Sequence, residues 1–290
     1  MKKTFRTVAL ILAAVLTVGM LAFPAAASGT ADEEKWVDNV FIKEPLQAFQ
    51  IDLKHIRSVT FLDSTADAPE NPWYMGAKYY TSNVLAWVQW DGYYAHVFFA
   101  ADGGINAEEC AEGLFRDCVN LTEVNFNGAL RTDRCESLRD MFRDCASIQA
   151  IDVSGLDTGS CESMREMFRG CLKLEKVDLT GLDTSKVESM YAMFSTCPEL
   201  KEVDVTGFDT SSVTNLGFMF SLCRKLEKVD VSGFDTSKVN YMEGTFRWCD
   251  SLESVDVSGW DVSRVQIWSD FMDPGMEIGG KPWPEFFRGA

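Results

Sequence analysis

Histidine is scarce in this sequence, and so are the residue combinations on which most enzyme sites depend. The 290 residues include two histidines, His55 and His96, which are far apart in the chain and outside any metal-ligand spacing. The chain has no Gly-x-Ser-x-Gly motif, no Cys-x-x-Cys pair and no phosphate-binding glycine loop. We therefore expect a protein that is not an enzyme.

Positive charge is also in short supply. The 27 lysines and arginines oppose 44 aspartates and glutamates, which gives a net charge of −17. Such a surface repels phosphate backbones, so nucleic acid is excluded as an expected partner. The acidity suits basic protein surfaces or divalent cations, and it is equally ordinary for a soluble exported protein.

The single long apolar run lies at the start of the chain. A positively charged stretch precedes the run Val8–Phe23, and the small residues Ala25-Ala26-Ala27 follow it. This order predicts a secretory signal peptide over residues 1–27, and an uncleaved membrane anchor is the alternative. Cleavage would leave a mature net charge near −20 and no membrane span. We expect a secreted or cell-surface protein without a recognisable lipid or wall anchor.

The rest of the sequence is dominated by a repeat of 26 residues. The unit is clearest in V-D-V-S-G-F-D-T-S-K-V-N-Y-M-E-G-T-F-R-W-C, residues 229–249. Five copies agree at many columns, and a looser sixth copy precedes them near Leu121. One such unit cannot bury its own apolar face, whereas stacked copies share a continuous core. The repeat therefore predicts a solenoid.

Two apolar periods alternate within each unit. Leu226-x-x-Val229-x-Val231 has the spacing of a short strand, and Val239-x-x-Met242-x-x-x-Phe246 has the spacing of one helical face. We predict an α/β fold: a leucine-rich-repeat-like, right-handed stack of strand–turn–helix units with a parallel strand ladder, capped at both ends. Strands need about 4.8 Å per copy and packed helices about 8–10 Å, so the strands should lie on a concave face.

The regions on either side of the repeats lack the period. Val84–Trp90 and Tyr93–Ala100 flank Asp91-Gly92 and predict a hairpin with a two-residue turn, and Ile56–Phe61 predicts another strand. We predict four segments, which are the signal peptide at 1–27, a β-rich N-terminal cap at 28–106, about six repeats at 107–270 and a C-terminal cap at 271–290.

Six of the nine cysteines occupy one column of the repeat. They are Cys118, Cys145, Cys171, Cys197, Cys223 and Cys249. A uniform column favours buried, reduced thiols, since disulfides would require pairwise displacement. Cys135 and Cys161 replace a valine in adjacent copies, which makes a disulfide between them possible if their Cα atoms approach within about 7 Å. Two buried thiols are the alternative, and Cys110 has no assigned role.

Charged residues alternate with the apolar residues of the predicted strands and give the candidate binding face on the concave side. Its members are Asp152, Lys176, Asp178, Glu202, Asp204, Lys228, Asp230 and Asp256. The five aspartates of this set could bind calcium, although neighbouring lysines or hydroxyl groups could relieve their repulsion instead. We predict no other cofactor and no metal site. A second aspartate file is expected to satisfy N–H groups of turns and helix starts, and it consists of Asp157, Asp183, Asp209, Asp235 and Asp261.

Aromatic residues outside the core columns are candidates for binding sugars or proteins. Trp248 and Tyr241 fall off the predicted helical stripe and are expected to be exposed. For the cap residues Tyr79, Tyr80, Trp90 and Tyr93 we favour packing within the cap core.

The repeat unit, with its F-D-T-S-K-V segment, resembles that of the BspA-like leucine-rich-repeat surface proteins of bacteria. Segments flanking the repeats, I-R-S-V-T-F-L-D, V-L-A-W-V, D-F-M and G-G-K-P-W, are similar as well, so the resemblance covers roughly Ile56 to Phe287. It implies a non-catalytic adhesion module that binds host, matrix or bacterial surface proteins. A carbohydrate- or divalent-cation-binding module is the alternative, and the oligomeric state stays open.

Overall fold

A computed structural model describes residues 51–70, 72–75, 84–107, 111–273, 277–278, 281–282 and 287. All of them belong to one compact unit, Val37–Ala290. The predicted signal peptide, Tyr79, Tyr80 and Cys110 lie outside the described residues. Among the helices described, none is long and apolar enough to cross a membrane.

The described strands are short and lie mostly before the repeats. In chain order they are β1 Ile56–Leu62, β2 Trp73–Met75, β3 Val84–Trp90, β4 Ala95–Ala100, β5 Ile105–Asn106, β6 Glu123–Asn125, β7 Leu130–Arg131, β8 Ala150–Asp152, β9 Lys176–Asp178, β10 Glu277–Ile278 and β11 Lys281–Pro282. A 3-10 helix, Leu53–His55, precedes β1. Five strands form one mixed sheet in the order β2-β3-β4-β1-β6.

The predicted hairpin is present, with a longer turn than expected. Strands β3 and β4 pair antiparallel, with Trp90 opposite Ala95. The loop therefore holds four residues, 91–94. Two hydrogen bonds close it: the Asp91 N–H donates to the carbonyl of Tyr94, and the Asp91 carboxylate accepts from the N–H of Tyr94 at 2.9 Å. The four-residue loop, held by the Asp91 side chain, forms in place of the tight two-residue turn that Asp-Gly predicts. Strand β1 also forms as predicted, and it runs parallel to both β4 and β6.

The predicted strand–turn–helix architecture is wrong. Residues 111–273, all described, contain no α-helix, and their strands are few and short. The eight residues that end at each column cysteine, such as Leu138–Cys145, form consecutive tight turns, which we call the turn segments. Within Leu138–Cys145, the N–H of Phe142 donates to Met167 in the next copy, and the N–H of Met141 donates back to Leu138. An α-helix would direct both bonds four residues back.

The distance between copies explains why helices are absent. Successive rings of the phenylalanine column stack face to face, with centroids 5.6 Å apart for Phe142–Phe168, 5.3 Å for Phe168–Phe194 and 5.6 Å for Phe194–Phe220. Packed helices need about 8–10 Å between their axes. The repeats therefore stack too closely for helices. The predicted curvature assumed helices on the outer face, so that argument no longer applies.

Tight turns reproduce the three- and four-residue spacing that suggested a helix. In each turn segment the third and seventh residues have a positive φ, for example Asp140 at 58° and Asp144 at 59°. A positive φ at the third residue of a four-residue turn is what a type II turn requires. The side chains on either side of these residues return to the core, so Leu138, Met141 and Phe142 are all fully buried.

The copies are stacked in register. Strands β8 and β9 pair in parallel, with Asp152 opposite Asp178, and Glu202 forms a parallel bridge with Lys228. A second set of parallel bridges links equivalent residues beside the turn segments, from Ser137↔Ser163 to Tyr241↔Ile267. Neighbouring copies thus contact each other through main-chain hydrogen bonds on two sides of a shared core.

The core continues into the flanking regions. On the N-terminal side Phe61 contacts Phe115, whose ring stacks on Phe142 at 5.0 Å. On the C-terminal side Phe271 meets Phe246 edge-on at 5.5 Å and contacts Phe287 at 5.0 Å. Both flanking regions therefore cover apolar rings that the end copies would otherwise expose.

Candidate functional site

The charged face predicted from the sequence is present on the strand side of the repeats. We call it the charged ladder, and it comprises Asp152, Lys176, Asp178, Glu202, Asp204, Lys228, Asp230 and Asp256. All eight side chains are exposed. The parallel pairing of Ala150–Asp152 with Lys176–Asp178, and of Glu202 with Lys228, aligns equivalent charges of successive copies in rows.

Lysine and glutamate alternate along one row of the charged ladder. Lys176, Glu202 and Lys228 occupy the same position in three successive copies. Opposite charges on adjacent parallel strands attract each other, and this attraction favours the in-register stack by a few tenths of a kcal/mol per pair, roughly. The row therefore presents both signs of charge at the spacing of the repeats.

The aspartates of the charged ladder accept hydrogen bonds from the residue two positions further along the chain. Asp204 Oδ1 accepts from the N–H of Thr206 at 3.0 Å and from its hydroxyl at 2.6 Å. Asp230 accepts in the same way from Ser232. These hydrogen bonds lower the pKa of both carboxyl groups, and the bond from the hydroxyl contributes more than the bond from the N–H. Each such aspartate is therefore a turn-forming residue and an exposed negative charge.

The second aspartate file has the same local role. Asp183 accepts from the N–H of Ser185 at 3.0 Å, and Asp235 accepts from the N–H of Ser237 at 2.9 Å. The predicted turn role is correct, whereas the predicted helix starts are absent. A buried threonine follows each of the first four aspartates of the file, whereas Val262 follows Asp261. Thr184 Oγ1 donates to the carbonyl of Asp209 in the next copy at 3.0 Å. Sequence reasoning overlooked this threonine link, which the recurring Asp-Thr pair signals.

The ladder aspartates are also the suggested calcium ligands. Over the described ranges, no group of three or more acidic, histidine or cysteine side chains is placed to hold a metal ion. Oδ1 of Asp204, Asp230 and Asp256 accepts from a hydroxyl and an N–H two residues further along the chain. Oδ2 of these carboxylates takes no part in these hydrogen bonds, and calcium binding by the charged ladder stays a prediction.

The column cysteines fill the narrow space behind the turn segments. Cys171 Sγ donates to the carbonyl of Phe142 at 3.2 Å, and Cys197 Sγ donates to Phe168 at 3.1 Å. Burial raises the pKa of the column thiols, to about 12 for Cys118. Cys161 is buried, and its Sγ donates to the carbonyl of Ser163 at 3.3 Å. The disulfide with Cys135 stays a prediction.

A cluster of arginines around two buried carboxylates lies on the turn side, and sequence reasoning missed it. We call it the arginine cluster, and it comprises Arg116, Arg139, Arg143, Arg165 and Arg169 around Asp140 and Glu166. The side chains of Asp140 and Glu166 are only 7% and 4% exposed. The repeated pattern R-D-M-F-R, residues 139–143, and R-E-M-F-R, residues 165–169, is the sequence signal that could have revealed it.

Arginine contacts hold Glu166 in its charged form. Its carboxylate lies 2.8 Å from Arg169, 3.0 Å from Arg165 and 3.0 Å from Arg143. Burial raises the pKa of Glu166, but the hydrogen bonds and charges of these arginines outweigh it and hold the pKa below its ordinary value. The cluster is an internal ion network, and we assign it to stability rather than to ligand binding.

The exposed aromatic residues differ from expectation in part. Trp248 is 41% exposed, as predicted, and Arg247 lies over its ring at 4.0 Å. Tyr241 is half-buried, because its ring lies against Gly217. In the cap, Trp90 and Tyr93 are 50% and 57% exposed, so the predicted core packing is wrong for both.

The fold and its faces define a class of closely stacked repeat protein without helices in the repeats. Within that class, the chain belongs to the family described as "Mycoplasma protein of unknown function, DUF285", whose model matches residues 111–205 and 196–275. No curated protein and no solved structure matches the chain. The family match covers the repeats and, of the five-stranded sheet, only β6.

Proposed function

We propose that this chain is a non-catalytic, protein-binding module that is exported and acts in adhesion, at the cell surface or after secretion. The single observation that supports this proposal most directly is the exposure of the charged ladder in register across successive copies. Its rows of mixed charge repeat at the spacing of the stack, and such a pattern matches a polar protein surface over several contacts. The resemblance to BspA-like surface proteins points the same way.

The electrostatics of the charged ladder favour a protein partner with basic groups. Five of its eight members are aspartates, and hydrogen bonds lower the pKa of Asp178, Asp204, Asp230 and Asp256, so these carboxylates stay charged well below neutral pH. The lysines Lys176 and Lys228, which alternate with Glu202 in the row beside the aspartates, set a register for the partner. Host, matrix and bacterial surface proteins are the partners that we propose.

The test is capture of defined proteins by the immobilised chain, residues 28–290. Matrix and mucosal proteins are offered to the native chain, to the double variant Lys176→Glu/Lys228→Glu, and to the matched control Lys186→Glu/Lys238→Glu. The control changes the same charges in the same two copies, at exposed positions outside the charged ladder. We expect a protein that the native chain and the control retain and that the ladder variant loses.

Two results would contradict the proposal. One is retention of no protein by the folded native chain. The other is equal loss in both double variants, because binding would then depend on overall charge rather than on the charged ladder.

A further inference from the structure

The tip of the hairpin between β3 and β4 carries two exposed large aromatic side chains, Trp90 and Tyr93. Both lie beside the imidazole of His55. The ring of Tyr93 meets it edge-on, with centroids 4.8 Å apart, and the indole of Trp90 is tilted against it at 6.2 Å. We call Trp90, Tyr93 and His55 the aromatic tip. Other rings of this sheet, such as Phe61 and Phe99, are buried in the core.

The end of strand β3 explains this exposure. The first five residues of the strand are buried or half-buried, whereas its last two residues, Gln89 and Trp90, are exposed. Folding therefore does not require the indole at this position. Burying it against a ligand would remove a large apolar area from water, which is favourable by about 25 cal/mol per Å².

The turn holds the aromatic tip in one geometry. The Asp91 carboxylate accepts from the N–H groups of Tyr93 and Tyr94 at 3.4 and 2.9 Å, and its other oxygen lies 3.4 Å from Nε2 of His96. Nδ1 of His96 is in turn 2.8 Å from the hydroxyl of Ser58 on β1. A turn fixed by its own side chain leaves less freedom to lose on binding, so the tip is pre-organised for a ligand.

The charges around the aromatic tip cancel. Lys54 pairs with Asp52 at 2.5 Å, and Arg57 lies over the ring of Tyr94 at 5.1 Å. With Asp91, the surroundings hold two cations and two anions, in a chain whose net charge is −17. A polyanion or a strongly basic peptide finds no attractive field here, because opposite charges this close together screen each other. The chemistry of the site therefore fits an uncharged ligand.

The geometry points to a binding site for neutral glycans at the aromatic tip. A pyranose ring has an apolar C–H face, which packs on an indole or phenol ring, and a rim of hydroxyl groups, which exchange hydrogen bonds with imidazole, carboxylate and ammonium groups. Trp90 and Tyr93 supply the ring faces, and His55 with the Lys54–Asp52 pair supplies the polar groups. This site is distinct from the charged ladder and does not depend on it.

The experiment is a titration of the chain, residues 28–290, with a panel of uncharged oligosaccharides. Gluco-, galacto-, manno- and N-acetylhexosamine oligomers serve as probes, followed by tryptophan fluorescence and by ligand-observed NMR. The variants are Trp90→Ala, Tyr93→Ala and His55→Ala, and the matched control is Trp248→Ala, which removes another exposed tryptophan. We expect at least one oligosaccharide to bind, and binding to weaken by about tenfold or more in each tip variant and to stay unchanged in the control.

Thermal unfolding of each variant checks that the fold persists, and Trp90→Phe keeps a ring should Trp90→Ala fail to fold. Absence of binding by every oligosaccharide up to about 10 mM would overturn the inference. So would equal weakening in Trp248→Ala, or binding restricted to sialylated or sulfated glycans. A protein ligand that the tip variants lose, with no glycan bound, would assign the tip to protein docking instead.

Discussion

The guanidinium group of Arg143 lies 3.0 Å from the buried carboxylate of Glu166 in the next copy of the repeat. The same guanidinium lies 3.6 Å from Asp140, whose Oδ1 has no hydrogen bond within the described residues. One arginine thus joins two buried carboxylates across two copies. Because removal of one member of a buried ion pair leaves the other uncompensated, this contact makes the arginine cluster sensitive to single substitutions.

Replacement of Glu166 by glutamine tests the contribution of the arginine cluster to stability. The substitution keeps the shape of the side chain and removes the charge that three arginines contact. We expect the free energy of unfolding, measured by urea denaturation, to fall by about 2 kcal/mol. Glu188→Gln, at an exposed position, is the control and should change stability by less than about 0.5 kcal/mol. Equal effects of the two changes would contradict the role of the cluster.

The pH dependence of stability should report on the same carboxylate. The folded-state pKa of Glu166 lies below its ordinary value, so the unfolded chain binds the proton more readily. The stabilisation is therefore complete above the unfolded pKa, about 4.3, and is lost as the pH falls through the folded pKa. We expect the difference in unfolding free energy between the native chain and Glu166→Gln to shrink between neutral pH and about pH 3. A constant difference across this range would count against the assignment.

The phenylalanine column should dominate the stability of the stack. Phe194 is fully buried and stacks on Phe168 and Phe220 at 5.3 and 5.6 Å. Phe194→Ala removes both contacts and leaves a cavity, so we expect a loss of about 3–5 kcal/mol in denaturant unfolding. Phe194→Leu should cost less, because most of the volume is retained. A loss below about 1 kcal/mol for alanine would show that the stack tolerates gaps.

The buried thiols should not react with a thiol reagent until the chain unfolds. Burial raises the pKa of Cys161 to about 11, so at pH 8 only about one thiol in a thousand is ionised there. We expect the thiols of Cys145, Cys171, Cys197 and Cys223 to react with a disulfide reagent only in denaturant, as followed by mass spectrometry. Fast labelling of the native chain at these cysteines would contradict the buried column.

The helix prediction shows where sequence reasoning reached its limit. A spacing of three and four residues, as in Val187, Met190 and Phe194, is common to an amphipathic helix and to a run of tight turns. The two differ in the partner of each N–H group: the N–H of Met190 donates to Asn215 in the next copy. Whether an N–H group donates within its own copy or to the next copy depends on how closely the copies approach each other. The sequence of one copy does not give that distance.

The aromatic tip and the arginine cluster mark a second limit. The sequence shows Trp90 at the end of an alternating strand, but whether the core extends far enough to cover it is a property of the folded sheet. Likewise Asp140 and Glu166 occupy a column that holds Ala192, Phe218 and Gly244 in other copies. Only the packed structure brings five arginines around these two carboxylates.

The sequence by itself determined the period of 26 residues, the columns that form the core, the register of the stack and the exposure of the charged ladder. These follow from chemistry repeated at a fixed step, because equivalent residues of stacked copies must meet. The tertiary structure decided the backbone conformation of the turn segments, since a separation of about 5 Å between stacked rings leaves no room for helices. It also decided which polar side chains meet between neighbouring copies and which aromatic side chains meet at the hairpin tip of the cap.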